Sequence, residues 1–417
     1  MKKSILPILL SLGLCLSACQ NRSDLVTSIN IIDRNGMSET ISSKERLAAY
    51  QKTDFLAPQP YQKVLRLYGR TKSGDTSAQI TSYHPNGQIK QYLEAVNSRA
   101  QGVYREWFAN GQQKIEALVI GGIADLTTEA EESWLFDGTT VAWDEEGHLA
   151  AKILYQKGEL EGVSEYYHTN GKVWKLSPYV HGQLHGTQKI FLSDSTLFQT
   201  TDYSEGRKNG TSVRYWDLAH IAYHEKYSEG KLLEASYYDA CGKSVAEIRD
   251  GSGQKAIFNK NFLDRLETYA KGLQEGPVKV FDEKGALLRT YTIVDGEKQG
   301  EELDYYPETG KPKLQLAWNE GVLQGTVKSW YENGQLESQR EMSQNKKCGL
   351  LTAWYENGAL MLVEEYDQDN LVKGEYYRAG ENDAVTRVEG GSGIATLFSA
   401  DGSLSHRIVY ENGKPLS

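Results

Sequence analysis

The chain has 417 residues, a formal net charge of −10, and 26 tyrosines against 4 methionines. Without the two lysines near the start of the chain, Lys2 and Lys3, the net charge is −10 − 2 = −12. No run of lysine or arginine offsets this negative charge. Nucleic acid is therefore not expected as a partner. The 40 glycines and the abundant tyrosine favour strands and tight turns over helices.

The first nineteen residues are typical of an exported protein. A basic start at Met1–Lys3 precedes an apolar stretch from Ile5 to Leu16 that is too short to span a bilayer, which predicts a signal peptide over residues 1–18. The stretch ends in Leu16-Ser17-Ala18-Cys19, which resembles the lipobox of bacterial lipoproteins in all four positions. That resemblance implies that the chain is cut before Cys19 and that acyl chains on its thiol anchor the protein to a membrane. A soluble secreted protein with a chance cysteine at this position is the alternative.

The residue after Cys19 is Gln20 and not Asp, which in a bacterium with two membranes implies the outer membrane. Residues 19–28 are polar and are interpreted as a tether between the lipid and the folded part. The other two cysteines outside the leader, Cys241 and Cys348, are far apart in the sequence and are predicted not to be bonded to each other.

Residues 29–70 are predicted to form an N-terminal cap with one small helix. Ile31 to Gly36 could be a turn, and Ser42-Ser43-Lys44-Glu45 looks like a capping box that opens a short helix through about Tyr50. A repeat array needs a cap over its first open edge, so this is the expected role. A dedicated recognition element is the alternative.

Residues 71–417 repeat one pattern, an aromatic residue followed four positions later by a glycine or its substitute. Most copies are 20 to 25 residues apart, and one interval of 36 contains about a dozen extra residues within 117–132. We call the aromatic residues of this pattern the ladder aromatics, and the sequence places them at Tyr83, Trp107, Trp143, Tyr167, Phe191, Trp216, Tyr238, Phe258, Phe281, Tyr306, Trp330, Trp354, Tyr377 and Phe398.

The turn chemistry predicts β-hairpins. In copies such as Trp330–Gly334, the Asn-Gly end favours a three-residue loop in which glycine takes a positive φ. This loop places the aromatic residue opposite the residue two positions after the glycine. Segments of the form Gly-x-x-x-Gly, such as Gly321–Gly325, then return the chain to the next hairpin. The predicted fold is all-β, an elongated array of antiparallel hairpins with about fourteen units of roughly 24 residues.

This pattern resembles the MORN-variant repeats of the YwqK-type antitoxin family, over roughly Gly74 to Ser417. The resemblance implies an elongated antiparallel sheet of hairpins. It also implies, through the family label, a protein that neutralises a specific toxin.

No catalytic motif is found, so we predict a protein that is not an enzyme and has neither cofactor nor metal. His181 and His185 lie in a return loop, and His220 and His224 fall across a turn, which favours solvated histidines over a zinc site. An envelope hydrolase is the remote alternative, and it would need a nucleophile or metal cluster.

A second, less regular set of aromatic residues lies next to the ladder aromatics. By strand alternation it points to the other face, and we predict that it forms an interaction surface while the ladder aromatics support the fold. The predicted binding residues are Phe108, Tyr166, Tyr215, Tyr237, Tyr305, Tyr331, Tyr355 and Tyr376. The alternative is that this set only covers a thin sheet. The predicted function is thus a membrane-anchored scaffold that binds a protein or another envelope component.

Overall fold

The computed structural model describes residues 25–50, 53–59, 62–399 and 401–416. Cys19, the predicted signal peptide and the start of the tether lie outside the described residues. The described chain divides into two compact units, one up to Gln183 and one from Leu184.

The first unit has twelve strands and two short helices among its described residues. They are β1 (Leu25–Asp33), β2 (Ser38–Ile41), α1 (Lys44–Ala49), β3 (Gln62–Arg70), β4 (Thr76–Tyr83), β5 (Ile89–Val96), β6 (Arg99–Trp107), β7 (Gln113–Val119), α2 (Thr128–Glu131), β8 (Phe136–Trp143), β9 (Leu149–Gln156), β10 (Glu159–Leu160), β11 (Gly162–Tyr167) and β12 (Val173–Val180). The two-residue strand β13 (Gln183–Leu184) lies at the boundary between the units.

The described part of the second unit contains only strands. They are β14 (Gly186–Phe191), β15 (Leu197–Ser204), β16 (Arg207–Tyr215), β17 (Ile221–Ser228), β18 (Lys231–Tyr238), β19 (Ser244–Arg249), β20 (Ser252–Asn259), β21 (Phe262–Ala270), β22 (Leu273–Phe281), β23 (Leu287–Val294), β24 (Glu297–Lys298), β25 (Gly300–Tyr305), β26 (Pro312–Asn319), β27 (Val322–Leu323), β28 (Gly325–Trp330), β29 (Leu336–Ser343), β30 (Lys346–Trp354), β31 (Leu360–Asp367), β32 (Asn370–Tyr376), β33 (Thr386–Glu389), β34 (Ser392–Phe398), β35 (Leu404–Glu411) and β36 (Lys414–Pro415).

Within each unit the strands pair antiparallel with strands that are close in the chain. Thus β28 pairs with β29, β29 with β30, β30 with β31 and β31 with β32. Among the described residues only α1 and α2 are helical, and neither is long and apolar enough to cross a membrane. The predicted fold class, an all-β array of antiparallel hairpins with one small N-terminal helix, is confirmed.

The three-residue loop of the Asn-Gly turns is also confirmed. Trp330 is paired with Leu336, the N–H of Tyr331 donates to the carbonyl of Gln335, and Gly334 has a φ of 97°. Glycine takes this conformation without steric cost, which is why the pattern ends in it.

Two copies of the ladder were misaligned by one residue. The sequence pattern assigned Trp216 and Tyr306 to the ladder, but the strand partners of Ile221 and Pro312 are Tyr215 and Tyr305. The reason lies in the loops, because the first has no glycine and the second has one residue more than the Asn-Gly loop. Counting back from the glycine position therefore missed the true end of the strand.

The return connection is tighter than its Gly-x-x-x-Gly pattern suggested. Only the first glycine belongs to the turn, as the second residue of a two-residue turn with two positive φ values, such as Glu320 (49°) and Gly321 (74°). This matches the hairpin turn whose twist fits paired strands. The second glycine lies at a strand irregularity. At Gly210 a Cβ would come within 2.9 Å of the Cβ of Asp202 on the neighbouring strand, so only glycine fits.

The N-terminal region follows its prediction in part. Helix α1 begins after Ser43, whose side chain accepts a hydrogen bond from the N–H of Arg46. Leu47, Tyr50 and Phe55 pack on a buried cluster around Ile29 and Leu65. Strand β1 begins at Leu25, so the last residues of the predicted tether, 25–28, are strand.

The extra residues of the long interval form a cover of their own. They include α2, which the sequence did not predict, and Trp134, which is buried against Tyr104 with ring centroids 4.8 Å apart. A second hydrophobic cluster, around Leu93 and Val119, is closed in this way.

In the second unit, two further clusters lie on one side of the strands. One contains Tyr227, Leu232 and Tyr237, and the other contains Leu362, Tyr366 and Tyr376. We call the side of the strands that carries Tyr237 and Tyr376 the core face. The opposite side, which alternation gives to residues such as Thr352 and Glu375, is the open face.

Candidate functional site

Three of the eight predicted binding residues are buried. The exposed fraction is 0% for Tyr237, 2% for Tyr355 and 0% for Tyr376. A partner cannot reach these rings, so the prediction that they form an interaction surface is wrong. The physical reason is that the side of these strands assigned to a partner is the core face.

The other five predicted binding residues are half-buried, and the structure does not bring them together. Phe108 and Tyr166 belong to the first unit, and Tyr166 lies under the ammonium of Lys175 at 4.1 Å from Nζ to the ring centroid. Tyr215 and Tyr305 occupy ladder positions in the second unit, as the strand pairing above requires. That these residues bind a partner stays a prediction.

Tyr331, the last of the five, is part of a chain of hydroxyl contacts along the turns. The hydroxyls of Tyr306, Tyr331 and Tyr355 donate to the backbone carbonyls of Trp330, Trp354 and Tyr377 at 2.7, 2.9 and 2.8 Å. Each bond ties one hairpin to the next. These tyrosines therefore set the spacing of the hairpins.

A buried carboxylate lies at the centre of the first cluster of the second unit. Glu225 is 1% exposed, and its two oxygens accept hydrogen bonds from the hydroxyls of Tyr227 (3.0 Å) and Tyr237 (2.8 Å). The ammonium of Lys255 lies 3.3 Å from the carboxylate and 3.1 Å from the Tyr227 hydroxyl. We call these residues, together with Lys208 over the Tyr227 ring, the Glu225 cluster.

The same arrangement recurs 364 − 225 = 139 residues further on. Glu364 accepts from the hydroxyls of Tyr366 (3.0 Å) and Tyr376 (2.7 Å), and the ammonium of Lys347 lies 4.5 Å from the Tyr366 centroid. Each of these four residues stands 139 positions after its counterpart in the Glu225 cluster. Ala395 occupies the place of the second lysine, Lys255, by its position after the equivalent Gly-Ser-Gly segment. We call this set the Glu364 cluster.

The electrostatics of both clusters keep the tyrosines protonated. Burial raises the pKa of Tyr227 and Tyr237, and the nearby Glu225 raises both further. Burial and Glu364 act on Tyr366 and Tyr376 in the same way. The hydroxyls therefore remain donors to the carboxylates over the physiological range, and each carboxylate has its hydrogen-bonding oxygens occupied.

The buried carboxylates were not predicted from the sequence. The signal was present as Glu-x-Tyr, because residues two apart on a strand share a face. It occurs at Glu225-x-Tyr227 and Glu364-x-Tyr366 in the clusters, and at Glu375-x-Tyr377 on the open face, where the hydroxyl donates at 2.7 Å. A further buried carboxylate, Glu302, accepts from the indole N–H of Trp318 at 2.9 Å and lies 3.2 Å from the Arg289 guanidinium.

Among the residues that the structure describes, one group of side chains has ligand atoms near enough to share a cation, namely Asp144, Glu146 and His148 in the first unit. Glu146 and His148 are exposed, and Asp144 already accepts from the backbone and the ring of His148. We therefore interpret this group as a turn whose side chains are hydrogen-bonded to one another.

The open face of the second unit carries a continuous line of half-buried apolar side chains near the turns. Strand pairing places Trp330 beside Leu336 and Trp354 beside Leu360, with Tyr305 before and Tyr377 after them in the line. We call these six residues the aromatic ridge. Next to the ridge lies a row of residues paired from strand to strand, which we call the polar row because only Val363 in it is apolar. It contains Lys328, Gln339, Thr352, Val363 and Glu375.

This architecture defines the class of protein, a repeat protein built from antiparallel β-hairpins. Two segments, residues 160–181 and 323–344, match the family model described as the MORN repeat variant. Each segment contains two strands joined by an Asn-Gly turn. The chain therefore carries MORN-variant repeats in both units.

Two solved structures are similar to this chain over part of their own length. One is a variant of the Photorhabdus luminescens Tc holotoxin pore, with 11% identity and a TM-score of 0.14. Another is a TcdB2–TccC3 complex without the hypervariable C-terminal region, with 10% identity and a TM-score of 0.13. In both comparisons the match covers 93% of this chain and 24% of the other chain. No curated protein matches the sequence significantly.

Proposed function

We propose that this protein is a non-catalytic repeat scaffold of the bacterial cell envelope, anchored by lipid on Cys19, that binds another envelope component. The observation that carries the proposal is the difference between the two faces of the second unit. The buried carboxylates Glu225 and Glu364, which could serve as acids or bases, are held by tyrosine hydroxyls. The open face instead presents a regular surface whose side chains recur from hairpin to hairpin, which suits binding.

The anchor is tested by metabolic labelling with a fatty acid in the native host. The wild-type chain should take up the label and remain with membranes after a salt wash, and Cys19→Ala should do neither. The matched control is Cys15→Ala, which removes the leader cysteine four positions earlier and should label normally. A Cys19→Ala chain that still takes up fatty acid, or an unlabelled wild type, would contradict the anchor.

Scaffolding is tested by crosslinking in intact cells. A photoreactive residue at position 352 on the open face should capture a partner, and one at buried position 376 should not. Capture of a single small protein whose toxicity the chain relieves would favour the antitoxin alternative. Turnover of an envelope polymer by the purified chain would contradict a non-catalytic role.

A further inference from the structure

The ladder aromatics of the aromatic ridge recur at a fixed interval. Trp330 and Trp354 have the same register, each opposite the leucine two residues after the turn glycine. Two strand spacings separate them, which places successive rings at about 10 Å. The hydroxyl of Tyr331 fixes this interval from the core face through its bond to the Trp354 carbonyl. The surface therefore offers one aromatic ring per hairpin at a constant repeat distance.

Hydrogen-bonding side chains accompany the rings of Trp330 and Trp354. Two residues before Trp330 and Trp354 on the same strands, and so on the same face, stand Lys328 and Thr352, with Gln339 paired between them. An ammonium, an amide and a hydroxyl thus lie next to the ridge as donors, and the last two also accept. In the hairpins of Trp330 and Trp354, a molecule lying along the ridge would meet both an apolar ring and a polar group.

The chemistry of the ridge favours a sugar over a protein surface. The large apolar side chains that are well exposed include none of the six ridge residues. Protein interfaces are centred on aromatic anchors that enter pockets and are surrounded by contiguous apolar area. Half-buried rings bordered by polar groups suit a pyranose instead, because its C–H face stacks on an aromatic ring while its hydroxyls bond sideways.

The distance between successive aromatic rings of the ridge indicates which glycosidic linkage the bound polysaccharide would have. A β-linked polysaccharide of pyranoses is extended and presents alternate rings in the same orientation, at an interval close to that of two strands. An α-linked chain curves and would leave the line after one or two rings. We propose that the aromatic ridge binds an extended β-linked polysaccharide that lies across the strands, with about one disaccharide per hairpin. This rests on the proposed scaffold function and names the partner class of its open face.

The probe is a hexamer of β-linked N-acetylglucosamine, titrated against the full chain in detergent micelles by tryptophan fluorescence and calorimetry. Binding should strengthen at least tenfold from dimer to hexamer, because each added disaccharide meets a further ring. The matched control is the α-linked glucose hexamer, which should not bind. Equal binding of the two hexamers would overturn the proposal, since the extended geometry would then be irrelevant.

Variants locate the site. Trp354→Ala should weaken hexamer binding about tenfold, the usual size of a lost stacking contact. Because this variant could also loosen the turn, Thr352→Val provides a second test that removes one hydroxyl from the polar row without changing shape. It should weaken binding about threefold, whereas Thr292→Val on another strand should leave it unchanged. As a control, circular dichroism of each variant should match that of the wild-type chain, which would show that the variant is folded.

The outcomes separate this inference from the proposed function. No binding of the β-linked hexamer, together with a protein crosslinked at position 352, would overturn the polysaccharide and keep the scaffold. Hexamer binding that Trp354→Ala and Thr352→Val leave intact would place any sugar site elsewhere and also overturn the assignment. If the wild-type chain carries no lipid on Cys19, the proposed anchoring in the envelope is contradicted, but the sugar titration is not affected.

Discussion

Glu364 and Glu365 are adjacent on β31 and have opposite environments. Glu364 is 7% exposed and accepts from two tyrosine hydroxyls, while Glu365 is exposed on the open face. Both carboxylate oxygens of Glu364 accept hydrogen bonds, but the amide of glutamine has only one acceptor oxygen. A glutamine at this position would leave a tyrosine hydroxyl or its own amide N–H without a partner. We expect Glu364→Gln to lower the free energy of unfolding by about 1–3 kcal/mol.

Glu365→Gln is the matched control and should change stability by less than about 0.5 kcal/mol. The measurement is the urea midpoint of the two variants and the wild type, followed by circular dichroism. Equal midpoints for both variants would show that the Glu364 cluster does not stabilise the second unit.

Tyrosines around the Glu225 cluster make the protein sensitive to alkali. Burial, and after it the charge of Glu225, raises the pKa of Tyr223 from 10.0 to about 12. Burial, followed by Glu267 and Glu225, raises the pKa of Tyr269 to about 12. A folded-state pKa above the unfolded value means that stability is fully present below pH 10 and is lost as the pH rises toward 12.

The expected result is an unfolding midpoint in urea that is constant up to about pH 10 and falls above it. Tyrosinate absorbance should rise together with the loss of structure and not before it. Titration of most tyrosines near pH 10 in the folded chain would contradict the burial of these rings.

The residue scale is where sequence reasoning succeeded least. It identified Tyr237 and Tyr376 as a distinct set and placed both on the face opposite the ladder aromatics, but it could not tell which face was closed. Alternation gives two faces without saying which one packs. The Glu-x-Tyr pattern would not have settled this question, because Glu225-x-Tyr227 lies on the core face and Glu375-x-Tyr377 on the open face.

Glycines of the hairpins differ in what a side chain would meet. Gly285 in an Asn-Gly-type turn has a φ of 85° and open space around its Cβ position. Gly393 has a φ of 147°, and a Cβ there would lie 2.5 Å from the backbone carbonyl oxygen of Arg387. We expect Gly285→Ala to cost about 1–2 kcal/mol from backbone strain alone.

Gly393→Ala adds a clash with backbone to the strain, so it should cost clearly more than Gly285→Ala. Urea unfolding of the two variants under identical conditions gives the comparison. A larger loss for Gly285→Ala would show that the strands around Gly393 have room to separate.

Turns were the elements that the sequence predicted best. The register of Trp330 with Leu336 follows from the loop length that Asn-Gly requires, and it recurs in copies such as Trp354 with Leu360. The prediction slipped by one residue at Tyr215, whose loop has the standard length but no glycine, and at Tyr305, whose loop is one residue longer. Local chemistry thus fixed each hairpin whose turn was standard and failed where the turn was not.

At the scale of the second unit, the two cysteines test the alignment of the repeats. Cys241 is exposed at an Asn-Gly-type turn, Cys348 is half-buried near a return turn, and both thiols are free. Alkylation of the native chain should modify Cys241 first and Cys348 more slowly, in proportion to exposure.

Mass mapping under non-reducing conditions should find no bridge between these two thiols. Alkylation of the variants Cys241→Ser and Cys348→Ser shows which cysteine gives the faster rate and which gives the slower one. Faster modification of Cys348 than of Cys241 would contradict the burial found here.

Within each described unit the strands pair with strands that are close in the chain, and this has a mechanical consequence. When an array of antiparallel hairpins is pulled from its ends, the bonds between two strands break one after another, because the load always falls on the outermost pair. Such unzipping requires far less force than shearing strands past each other, where all bonds resist at once. A lipid at one end and a bound polymer elsewhere would load the chain in this direction. Stretching should then extend the protein in small, reversible steps of one hairpin, and an anchored chain would act as a compliant link between its anchor and its partner.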